Sequence, residues 1–217
     1  MKTILLVDTE FVNLVKPFVY DLSYIIATLQ GDKYVPLKIV GNVVKQVYQN
    51  RMLFETAYYS TKRPLYTKAL RSKDYQKQSI KDIMTELKND IVKYNVDCVM
   101  GYNVSADNRS IAFTTDYLKT ENALKDLEFI DLMPIVVNYI CDTDNYKKFA
   151  KENGLITEKG YYKMSVESVS KYIYNNAEFV ENHLGKDDNK HELELLNYAL
   201  SLGGKVEHMK KRFLKVA

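Results

Sequence analysis

Four apolar residues in a row, Ile4-Leu5-Leu6-Val7, run directly into Asp8-Thr9-Glu10-Phe11. A short continuous apolar run of this kind reads as a buried strand over residues 3–8, so the chain is organised around a sheet. In an extended strand, residues two apart point to the same side. Asp8 and Glu10 therefore present two carboxylates on one face at the end of an apolar element. Two ionised carboxylates held close repel, and burial raises the cost. A divalent cation that takes both as ligands removes the conflict. Standing alone, a motif as short as Asp-x-Glu is more commonly a solvated strand end.

Further strands are expected at 18–29 and 34–40, joined through Gln30-Gly31-Asp32-Lys33, where Gly31 tolerates the positive φ of a hairpin turn. These three read as an antiparallel meander. Residues 43–57 look helical. The clearest helix is 80–94, where Ile80, Ile83, Met84, Leu87, Ile91 and Val92 recur at helical spacing behind an N-cap at Ser79 with Asp82 three residues on. A short strand at Cys98–Met100 ends at Gly101. Ser105 is the expected cap of a helix to about Lys119, and Phe129–Leu132 reads as a last strand. Helices are expected near 132–152, 165–174 and 188–201. The sum is a mixed α/β chain with one central five-stranded sheet, three antiparallel strands and then two more. No Pro-, Gly- or Ser-rich linker or repeat divides it.

The chain has 217 residues and a net charge of only +3, which excludes a histone-like protein. The charge is unevenly spread. Residues 61–77 carry Lys62, Arg63, Lys68, Arg71, Lys73 and Lys77 against Asp74 alone, with Tyr66 and Tyr75 between them. Residues 204–217 carry five Lys and Arg against Glu207, which leaves −6 for the remainder. Both segments could hold a phosphate backbone, but 61–77 reads equally as a solvated helix face, and 204–217 reads rather as a frayed tail. Two cysteines, Cys98 and Cys141, make no disulfide framework and read as reduced. No signal peptide and no run of about 20 apolar residues is visible, so the chain is expected to be soluble and cytoplasmic, with no membrane partner.

Two other segments carry chemistry-bearing residues. In Gly101-Tyr102-Asn103-Val104-Ser105-Ala106-Asp107, Asp107 falls in a first helical turn, where the helix dipole alone would explain it. In Glu181-Asn182-His183-Leu184-Gly185-Lys186-Asp187-Asp188, a loop histidine precedes Asp188 by five residues at a helix start. Asp187 is read as the cap there, which frees Asp188 to project elsewhere.

In this order, the three segments resemble the motifs of the DEDD exonucleases, in the subgroup with a catalytic histidine. Proofreading subunits of bacterial replicative polymerases, ribonuclease T and oligoribonuclease belong to that superfamily. Asp8 and Glu10 match its first motif, Asn103 and Asp107 its second, His183 and Asp188 its third. Ser165–Ile173 is similar to the helix before the third. The resemblance spans roughly residues 3–201 and is weakest over 41–78. Tyr102 stands where members often have His, Ala106 where they have a bulkier residue, and Gly185-Lys186 where small and apolar residues are usual.

The resemblance implies a ribonuclease-H-like fold and metal-dependent 3′-to-5′ hydrolysis that releases nucleoside 5′-monophosphates from single-stranded DNA or DNA ends. It implies a single exonuclease domain over 1–203, with a basic, divergent region at 41–78 and a basic tail at 204–217. Asp8, Glu10, Asp107 and Asp188 would hold two Mg²⁺ or Mn²⁺ ions, with Asp8 bridging and His183 as general base. Thr9 and Phe11 would lie near the terminal nucleotide. Asn103 belongs to the substrate side, and Lys68 and Arg71 are candidates for the phosphate backbone. An RNA exonuclease uses the same chemistry. A non-catalytic nucleic-acid- or polymerase-binding subunit is the reading from another class, and a proofreading role would need a partner polymerase. A zinc site on His183 and His191 is a poor fit, because neither cysteine lies near in sequence.

Overall fold

The computed structural model describes residues 1–216. Six strands, one more than expected, form a single mixed sheet: β1 Thr3–Phe11, β2 Val19–Gln30, β3 Lys33–Val44, β4 Gln76–Gln78, β5 Cys98–Gly101 and β6 Glu128–Asp131, in the spatial order β4-β3-β2-β1-β5-β6. The first three make the expected antiparallel meander, turning at Gly31 with φ 65°. β4, β5 and β6 pair in parallel with β3, β1 and β5. The extra strand is Gln76-Lys77-Gln78, three polar residues on an edge, which carry no apolar signal for a strand.

The helices are α1 Lys45–Tyr48, α2 Arg51–Phe54, α3 Arg63–Arg71, α4 Ile80–Tyr94, α5 Ser105–Tyr117, α6 Leu132–Val136, α7 Asp144–Glu152, α8 Val166–Ile173 and α9 Gly185–Ser201. The helix expected over 132–152 is broken, because a π-turn at Val137–Cys141 precedes a fresh N-cap at Thr143. Ser79 caps α4 as expected, but Val92 lies beyond the buried stripe and is 76% exposed. Two other expected caps are not used. The helix at α5 starts from Val104 with no side-chain cap, and α9 starts from Leu184, with Asp187 and Asp188 both inside its first turn.

Alternation along β1 divides the core in two. Leu5 and Val7 face one cluster with Ile83, Leu87, Phe54 and Tyr66. Ile4 and Leu6 face the other, with α6 and with Leu195, Leu196 and Ala199 of α9. Asp8 and Glu10 continue the second stripe, so the α9-facing side of β1 changes from apolar to acidic along its length. The α9 helix has the same gradient, from Asp188 and Glu192 to Leu195, Leu196 and Ala199, all buried. Their apolar ends share one core, and their acidic ends meet at the carboxyl end of β1.

Residues 204–216 are not a frayed tail. Leu214 accepts from the Tyr162 amide (3.0 Å) and Val216 donates to Gly160 (2.9 Å). Lys211 bonds Asp131 and Arg212 bonds Asp142. No helix among the described residues is long and apolar enough to cross a membrane.

Candidate metal centre

Asp8 and Glu10 leave β1 opposite Ser23 and Asp21 of β2. Asp107 arrives from the first turn of α5 and Asp188 from that of α9. Thr9 fixes Asp107, since both its amide (2.9 Å) and its hydroxyl (2.8 Å) donate to Asp107 Oδ1. The ligand atoms of Glu10, His183 and Asp188 lie within 4.8 Å of one another, the one such cluster among the described residues, and His191 is not in it. His191 instead bonds Tyr174 through Nδ1 at 2.8 Å.

A further carboxylate, which none of the three motifs contains, joins the group. Glu192 sits one turn after Asp188 on α9 and is only 2% exposed. Its Oε1 accepts the Tyr102 amide at 3.1 Å, which ties the second motif to the third. Its four-residue spacing from Asp188 is the one signal that points to it.

Burial first, then repulsion from Asp188, Asp107, Glu192 and Glu10, pushes the Asp8 carboxyl well above the usual range. Glu10, Asp188 and Glu192 are raised in the same way, by burial and then by neighbouring carboxylates. Burial also raises Asp107, against the lowering bonds from Thr9. Asp8 Oδ2, Asp188 Oδ1 and Glu192 Oε2 are buried with no hydrogen-bond partner. An unmatched buried carboxylate oxygen is costly. Several converging hard oxygen donors are the donor set that Mg²⁺ or Mn²⁺ takes. These residues fit a divalent cation.

His183 stands in the loop before α9 with φ 54°, a conformation uncommon outside glycine. Its ring stacks on Tyr59, with centroids 4.4 Å apart and planes 16° apart. Burial, and then the nearby Lys62, push its pKa below the ordinary histidine value. Lys62 also lowers Asp188. Tyr59 and Lys62 both come from the 41–78 region where the motif resemblance is weakest.

Gly185 explains one of the departures. A Cβ there would lie 2.9 Å from Asp8 Oδ2 and 3.2 Å from Asp21 Oδ1, so only glycine lets the start of α9 come this close. Tyr102 is held by its hydroxyl to the Met164 carbonyl, and the Lys186 amide donates to the Tyr75 hydroxyl at 2.9 Å. Tyr66 and Tyr75 are buried rather than set among the surface cations, and both donate to Asp21.

The remaining candidates are dispersed. Phe11 is partly buried against the first core cluster. Asn103 is exposed at φ 59°, and its Oδ1 accepts from Lys211 at 2.8 Å. Lys68 and Arg71 lie exposed on α3, beside a cavity of about 490 Å³ that none of the site carboxylates lines.

No protein-family model matches the chain, and no curated protein matches it. Among solved structures it is similar to E. coli Exonuclease I, solved in complex with a dT13 oligonucleotide. The two share 12% identity at a TM-score of 0.50, over 91% of this chain and 41% of that one. This chain therefore spans well under half of that protein's length. The likeness is one of fold: a mixed sheet flanked by helices.

Proposed function

We propose that the chain is a divalent-metal-dependent 3′-to-5′ exonuclease acting on single-stranded DNA or DNA ends, with residues 1–203 as its catalytic unit. The observation that carries this reading is the set of unpartnered buried oxygens on Asp8, Asp188 and Glu192, beside the Glu10–His183–Asp188 cluster. Asp8, Glu10, Asp107 and Asp188 would hold two Mg²⁺ or Mn²⁺ ions. When bound, such a pair stabilises the attacking and leaving oxygens of an in-line phosphodiester displacement.

The chain's own groups do the rest. His183 accepts the proton of the attacking water. Its depressed pKa keeps it neutral, and so able to do this, at neutral pH. Tyr59 holds the imidazole plane by stacking. Thr9 orients Asp107 through two hydrogen bonds to one oxygen, leaving the other for a ligand. Lys62, whose charge reaches His183 and Asp188, would add attraction for an anionic phosphate there.

The test is 5′-labelled single-stranded DNA, duplex DNA and RNA offered with Mg²⁺ or Mn²⁺, with EDTA and Asp8→Ala as controls. A ladder shortening from the 3′ end, abolished by both controls, is expected. No metal-dependent shortening of any of the three would overturn the proposal.

A further inference from the structure

On the β5–β6 side of the carboxylates lies a second concavity, of about 720 Å³. Its lining includes Tyr102 and Asn103, the turn that leads to Asp107, so it adjoins the second motif. Its walls also carry Tyr161, Phe213, Lys159 and Lys163, and no carboxylate lines it. That absence stands out in a chain whose charge outside its two basic segments is −6.

Phe213 is 67% exposed, with its ring edge-on to Tyr161 at 6.5 Å. It is not loose. Backbone bonds at Leu214 and Val216 and ion pairs at Lys211 and Arg212 fix the segment on both sides of it. The Lys211 ammonium also bonds Asn103, so the wall that carries Phe213 is fastened to the second motif. The other basic surface, around Lys68 and Arg71 on α3, is lined by Arg63, Pro64 and Thr67 and offers no aromatic face. Aromatic faces beside cations are what a nucleic-acid single strand needs: bases stack, and lysines follow the phosphates.

We propose that this groove is the track of a nucleic-acid single strand leading into the carboxylate centre, with bases stacked on Phe213 and Tyr161 and phosphates met by Lys159 and Lys163. The proposal rests on the nuclease reading above and adds where the strand runs and which residues hold it. An acidic peptide would satisfy the lysines but would leave the aromatic faces without a partner.

The test is equilibrium anisotropy with 5′-fluorescein dT12, rU12, dT2 and a dodecaglutamate peptide, in EDTA so that no strand is cut. Phe213, Lys159 and Lys163 are all exposed, so their variants keep the fold. The unmodified chain is expected to bind a dodecanucleotide more tightly than dT2 or the peptide. Phe213→Ala is expected to weaken that binding about tenfold. The Lys159→Ala/Lys163→Ala pair is expected to flatten the salt dependence by about 1.4 in log–log slope, about 0.7 for each phosphate that no longer meets a lysine. Variants that match the unmodified chain in affinity and slope would overturn the groove, as would a peptide that binds as well as dT12. Cleavage of dT2 by the unmodified chain in Mn²⁺, measured alongside, separates the two claims. Cleavage with unaffected variants removes only the groove, whereas neither cleavage nor strand binding removes both.

Discussion

Two kinds of buried carboxylate lie side by side at the carboxyl end of β1. Asp21 is fully buried and receives hydrogen bonds from Ser23, Tyr66, Tyr75 and the Gly185 amide. Those bonds hold its pKa to about 6 against burial. Across the strand pair, Asp8, Asp188 and Glu192 each leave a buried oxygen without a partner, and repulsion from like charges adds to burial. The protein supplies donors to both oxygens of the first and leaves one oxygen of each of the others without any. Asp21 thus acts as a structural clip, joining α3, the Tyr75 segment and the start of α9 to the sheet. The other carboxylates are left open, and their oxygen donors fit a divalent cation.

Removing a member of each group should give opposite results. Asp8→Ala or Asp188→Ala should cost at least about a thousandfold in metal-dependent hydrolysis, about 4 kcal/mol of barrier. Metal-free stability should hold, or rise by about 1 kcal/mol as repulsion is relieved. Asp21→Ala should cost about 3 kcal/mol in chemical denaturation, because several buried donors lose their acceptor together. A stable Asp21→Ala protein, or an unfolded Asp8→Ala one, would break the comparison. Gly185→Ala sharpens it. Its methyl would press on Asp8 Oδ2, and Mn²⁺ affinity by calorimetry should fall about tenfold while α9 persists in circular dichroism.

The pH dependence of metal-free stability is a smaller effect. The folded pKa values of Asp21, about 6, and Glu181, about 7, are raised above their unfolded values. The folded state therefore holds more protons. Stability is fully present below the ordinary carboxylate pKa and is lost as pH rises through the folded values. Thermal melts in EDTA should show a Tm falling from about pH 4 to 7 and still falling above that, as the strongly raised Asp8, Glu10 and Glu192 ionise. Added Mn²⁺ should flatten the fall. A Tm that rises with pH in EDTA would contradict this.

The local parts of this arrangement are legible in the sequence and the long-range parts are not. The apolar run ending in Asp8-x-Glu10, the hairpin at Gly31 and the Ser79 cap are local patterns with periods of two or 3.6, and each is found in the structure. Glu192 has a telling spacing to Asp188, but a lone Glu in a helix gives no sign of facing inward. Asp21 and its clip depend on pairing residues 45 to 164 positions apart. Strand β4 carries no apolar pattern at all. Tyr59 and Lys62 come from the region with the weakest motif resemblance, and only the fold brings them to His183. The basic tail reads as frayed in sequence because its anchors, Tyr162, Asp131 and Asp142, are distant along the chain.

The most direct test of the cation site is isothermal titration of Mn²⁺ into the EDTA-stripped chain and into Asp8→Ala at neutral pH. Saturable binding to the unmodified chain is predicted, with protons released as the raised carboxyls ionise and with the binding lost in Asp8→Ala. Absence of saturable binding, or equal binding by the two proteins, would contradict it.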